Sequence, residues 1–177
     1  MTIDARVKKV AKGLSAREAA DAFVKQQEEG PMSLPPGMRD KAAEFEATVE
    51  AMFLMAAVDG DLTTEELTQL EASVDAFTAL PTAPASAKRV DVSAMLTAFD
   101  EKLAAEGWSR RLAVVAERLR DRESRAFAFR LAAGVAFVDD IVAHAEAAAL
   151  EAMASALHIG ADESQEILYD VREALFA

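Results

Sequence analysis

Two short acidic stretches hold the residues of this 177-residue chain best suited to chemistry. In the first, Asp59-Gly60-Asp61 is followed by Glu65 and Glu66. In the second, Asp139 and Asp140 are followed by Glu146. Carboxylate oxygens are hard ligands, so such groups suit Ca2+ or Mg2+. There is no Cys, which excludes disulfides, zinc fingers, iron–sulfur clusters and thiol catalysis. His144 and His158 are the two histidines, too few for a His-rich metal site.

Three established patterns can be set against these residues. An EF-hand loop fits Asp59, Asp61 and Thr63 at positions one, three and five. It fails at position six, Thr64, and at position twelve, Leu70. Asp59-Gly60-Asp61-Leu62-Thr63 also matches the Asp-x-Asp-x-Thr nucleophile motif of haloacid-dehalogenase-like phosphatases. That chemistry sits at the end of a parallel strand, whereas the run before Asp59 is rich in Ala and Met. A di-iron carboxylate bundle needs Glu three residues before His, and Ile141 and Ser155 stand there instead. His144 lies four residues after Asp140, within reach on a helix as a partner or ligand; the simpler expectation is a solvated helix residue. His158 suits the negative pole at a helix end.

Helices must position these residues. The five prolines form two clusters, 31–36 and 81–84, and none follows. No run alternates with a period of two. The expected fold is all-α, a bundle of about seven to nine helices. They span about Asp4–Lys12, Ser15–Gly30, Arg39–Val58, Thr63 to before Pro81, and Asp91–Gly107. One bent helix or two then cover Ser109–Val138, and the last two cover Val142–Leu157 and Asp162–Phe176. Ser15 with Glu18 and Thr63 with Glu66 form capping boxes.

The chain repeats itself at an offset of 80 residues. Ala56-Ala57-Val58-Asp59 falls on Ala136-Phe137-Val138-Asp139, Glu66 on Glu146, and Leu70-Glu71-Ala72 on Leu150-Glu151-Ala152. Each copy ends an apolar helix at Asp and places Glu seven residues later. The unit is helix, acidic turn, helix, used twice. A pseudo-two-fold relation could bring the two turns together. Helix termination alone also explains the first copy, since Asp59-Gly60 is a stop signal and Thr63 a cap. The second copy has no such cap, because Ala143 aligns with Thr63.

Over about residues 40–177 this pattern resembles the tellurite-resistance protein B (TerB-like) family. The segments that carry it are Phe53 to Glu66, Arg130 to Glu146 and the closing Leu157-His158-Ile159-Gly160. The resemblance implies an all-helical fold, a role in tellurite or general chemical-stress response, and an acidic site for a divalent metal. It implies no enzymatic activity. Carried over by motif, the metal residues are Asp59, Glu66, Asp139 and Glu146, with Asp61 and Asp140 beside them. Asp140 departs from the pattern, which has Gly there. Asp tolerates a left-handed backbone less well, so the second turn is expected to differ in shape.

Charge narrows the partners. Lys and Arg number 19 against 31 Asp and Glu, a net charge of −12. Phosphate neutralisation needs a basic surface, so nucleic acid is not an expected partner. The first 30 residues hold six basic and five acidic groups, against 13 and 26 in residues 31–177. Residues 1–30 therefore read as an N-terminal helical arm on a domain of 31–177. The arm either packs as extra helices or docks a protein partner. Arg110 to Arg130 forms a second possible partner face, with Arg111, Arg118, Arg122 and Arg125 on one side of a continuous helix. Pairing with the surplus acids is the simpler alternative. No signal peptide or membrane span is expected, which points to the cytoplasm, and the Ala-rich composition suggests a bacterial source. The leading functional expectation is a non-catalytic stress-response protein whose acidic turns bind a divalent cation. A metal-free helical interaction module is the alternative, and a phosphohydrolase using Asp59 and Asp61 is a third.

Overall fold

A computed structural model describes residues 2–11, 22–26, 29–30, 35–60, 62–78, 92–137 and 142–176. The architecture is all-α. Eight helices are assigned in chain order: α1 (Ile3–Val10), α2 (Pro36–Ala56), α3 (Thr64–Thr78), α4 (Val92–Glu106), α5 (Trp108–Arg118), α6 (Arg122–Ala136), α7 (His144–Ala156) and α8 (Ala161–Phe176). Residues 22–26 are helical as well. Among the described residues the one extended pairing is an isolated bridge between Phe137 and Val142.

Two helices form the centre. From Ala47 to Met55 every residue of α2 is buried, and so is every residue of α6 from Leu131 to Ala136. A helix buried all round has no solvent face and belongs in the core, and Glu50 is the one charged residue in these two stretches. The two pack against each other. Ala47, Ala51, Ala128 and Ala132 are fully buried, and small side chains let helix axes approach closely. These are the first helices of the two sequence repeats. The repeat units are therefore α2–α3 and α6–α7, joined back to back through the core.

Local chemistry sets the ends of the elements. Thr63 Oγ1 accepts the Glu66 N–H at 3.1 Å, the first half of the expected capping box. Pro36 occupies the first turn of α2, where a missing N–H costs nothing, so this helix begins before Arg39. Of the two readings of 109–138, one bent helix or two, the structure has two helices. Leu119 is extended, and Asp121 caps α6 by accepting the Ser124 N–H at 2.8 Å. The turn after α7 places its left-handed residue at His158, with φ of 56°, rather than at Gly160. The Ser15 capping box and the helix start expected at Asp91 lie outside the described residues.

Residues 1–30 were set apart by charge, yet α1 is built as a core element. Ile3, Val7 and Val10 are buried, and the helix lies against α3, α6 and α8. No helix among the described residues is long and apolar enough to cross a membrane.

Candidate functional site

The first acidic turn begins where α2 stops. Ala57 closes the helix with its N–H on the Phe53 carbonyl at 2.9 Å, and the Gly60 N–H reaches Ala57 at 3.1 Å. Gly60 has φ of 124°, which only glycine adopts at little cost. This turn leaves Asp59 exposed. The last turns of α2 are anchored from the side, because Trp108 Nε1 donates to the Leu54 carbonyl at 2.8 Å. Trp108 opens α5 and is half-buried there.

The second motif enters through Glu146, in the first turn of α7. Ala143 caps this helix without a side-chain hydrogen bond, so α7 offers bare N–H groups to nearby carboxylates. Phe137 and Val142, which flank residues 138–141, form a bridge.

Asp59 and Glu146 meet. The Asp59 carboxylate lies within hydrogen-bonding reach of the Glu146 carboxyl, and this contact, followed by burial, raises the Glu146 pKa above its ordinary value. Two ionised carboxylates only accept, so the contact is favourable only if a proton or another cation lies between them. The Glu146 Oε2 atom is buried and receives no N–H or O–H. The pair joins the first repeat to the second. In the sequence repeat, its counterpart is Glu66 with Asp139.

The other expected ligands stand as follows. Glu66 is half-buried in the first turn of α3 and is not brought to the pair. Asp61, Asp139 and Asp140 lie outside the described residues. Among the described residues, no group of three or more Asp, Glu and His forms a metal cluster. His144 opens α7 and is exposed, as is His158. Asp59 follows a helix rather than a strand.

Two further carboxylate arrangements lie elsewhere. Glu44 on α2 faces Asp121. Burial and then Asp121 raise the Glu44 pKa, while the Ser124 N–H lowers that of Asp121. In the core, Arg111 forms a fork with Glu50, Nε to Oε2 at 2.7 Å and Nη2 to Oε1 at 2.8 Å. Its Nη1 donates to Glu106 at 3.1 Å. The Glu50 hydrogen bond is the main cause holding the Arg111 pKa above its usual value. The Glu44–Asp121 contact was not foreseen, and for Arg111 pairing with an acid of the chain was expected but not that Glu50 is the partner. The available signal was a charge inside an apolar stripe: Glu50 among Val49, Ala51 and Met52, and Arg111 beside Leu112 and Val115.

The arginines between the acidic turns are mostly committed to partners within the chain. Arg118 pairs with Glu46 at 3.6 Å, Arg120 with Asp40 at 3.6 Å, Arg122 with Glu163 at 3.1 Å and Arg130 with Asp170 at 4.0 Å. Arg125 Nε donates to the Leu119 carbonyl at 2.6 Å. The single face drawn through Arg111, Arg118, Arg122 and Arg125 is not formed, because the helix breaks at 119–121 and Arg111 is buried. A cleft of about 560 Å³ opens between Arg122, Arg125 and the α7–α8 link.

Compared with known proteins, the chain matches no family model, no curated protein and no solved structure.

Proposed function

We propose that this chain is a non-catalytic helical protein that holds a divalent cation, Ca2+ or Mg2+, at its paired acidic turns, as a TerB-like stress-response protein would. The approach of Asp59 to Glu146 from opposite repeats carries the reading. Once both are ionised, the two carboxylates are acceptor-only groups in contact, one with a buried oxygen that no donor reaches, and a shared cation can take the place of the proton. Asp59 is exposed, so water can complete the shell. Mg2+ commonly keeps several waters beside one or two carboxylates, and Ca2+ accepts mixed oxygen ligands. By the repeat, Asp61, Asp139 and Asp140 are the further candidate ligands, whereas Glu66 stands apart from the pair.

Calorimetric titration of Ca2+, Mg2+, Mn2+ and Zn2+ tests this. The intact protein should show saturable binding below roughly millimolar. The Asp59→Asn/Glu146→Gln variant should lose it. Absence of binding by the intact protein refutes the cation reading and leaves the interaction module. Binding that survives the double substitution refutes the residue assignment.

A further inference from the structure

Helix α1 belongs to neither repeat, yet it touches both. Toward the first repeat, it packs along α3, the helix that leaves the first acidic turn, and the Ile3 N–H donates to Gln69 Oε1 at 3.1 Å. Toward the second repeat, it packs on α6, the helix that runs into the second acidic turn. Val10 sits over Gly134, where a Cβ would lie 3.1 Å from Val10 Cγ2. Arg130 Nε donates back to the Val10 carbonyl at 3.3 Å.

Arg6 makes the central contact. Its side chain is buried, with Nε donating to the Gly134 carbonyl at 3.0 Å and Nη2 to the Val135 carbonyl at 2.9 Å. The last carbonyls of a helix have no partner within it and carry the negative end of its dipole. A guanidinium fork satisfies two of them at once, which a lysine ammonium matches poorly. Burying a charged side chain is costly, so these bonds must be made for α1 to dock.

We propose that α1 is a strap that fixes the spacing of Asp59 and Glu146, with Arg6 as its positioning residue. The geometry stands on the contacts above, and its consequence for cation binding rests on the reading of Asp59 and Glu146 as ligands. By linkage, a cation held between the repeats strengthens strap docking as much as the docked strap strengthens cation binding. Any event that lifts α1 loosens the site.

The lack of cysteine allows a clean distance measurement. Spin labels placed through Thr64→Cys and Ala147→Cys, both exposed, report the separation of the start of α3 from the first turn of α7. Electron–electron double resonance should give a narrow distribution for the parent protein. Arg6→Met should broaden and lengthen it, and Arg6→Lys should do so to a smaller degree. Leu96→Ala, a core change in α4, should leave it unchanged. In parallel, Arg6→Met should weaken Mn2+ binding roughly tenfold by calorimetry. If Arg6→Met does not fold, Arg6→Lys is read in its place. An unchanged distribution in a folded Arg6 variant, or an equal change in Leu96→Ala, overturns the strap. If the parent binds no Mn2+, the cation reading fails, and the label distances still decide the strap.

Discussion

Glu146 shows how one contact sets a pH response. Its pKa is raised first by Asp59 and then by burial, so the folded protein keeps a proton that the unfolded chain has released. Stability without divalent cation should therefore fall as pH rises from the ordinary carboxyl value of 4.5 through the raised one. Glu146→Gln should flatten that slope and raise the melting temperature at pH 7–8 in chelator, measured by thermal denaturation. With cation present, the parent should gain stability at the same pH and the variant should not. His158 gives a second test. A non-glycine residue in the left-handed region carries strain of order 1 kcal/mol, so His158→Gly should be neutral to stabilising by up to about that amount in urea unfolding. In the core, Arg111→Met strands Glu50 and should cost about 3–5 kcal/mol, and Glu50→Leu with Arg111→Met should recover most of it. These partnerships were hidden in the sequence, since neither Glu50 nor Arg111 names a partner 61 residues away.

At the scale of the element, turn chemistry decided what was legible. Thr63 and Glu66 announced the start of α3, because a short side chain three residues ahead of an acid is a local signal. Asp121 carried the same kind of signal, but Leu119 and Arg120 also allow a helix to continue, which left one bent helix or two open; the Asp121 cap goes with two. Asp121→Ala should cost about 1 kcal/mol in unfolding free energy, and Asp121→Asn much less, since Asn also caps. The pKa of Asp121 is lowered chiefly by the Ser124 N–H. Its stabilisation is therefore present above the unfolded value and lost as pH falls through the folded one. Asp121→Asn should remove that loss from the acid limb of the stability profile. A shared face for Arg111, Arg118, Arg122 and Arg125 needs the one-helix alternative over 109–138, and the structure has two helices there. Once the chain turns at 119–121, Arg111 goes inward and its neighbours find separate acids.

At the scale of the molecule, the all-helical class and the repeat were legible because both are written in spacing. An apolar helix ending at Asp59 recurs 80 residues later, and the two helices cross at the centre of the fold. The role of α1 was not legible. Charge separated it from the rest of the chain, whereas its position is set by Val7, Val10 and Arg6 against helices far along the sequence. The meeting of Asp59 with Glu146 was anticipated only as a convergence of turns, not as a cross pair of one repeat's Asp with the other's Glu. That pairing is the centre of the account, and anomalous diffraction from crystals soaked in Mn2+ tests it most directly. A peak is expected within bonding distance of both Asp59 and Glu146, and it should disappear in Glu146→Gln. A peak elsewhere, or none while the two carboxyls remain in direct contact, would contradict it.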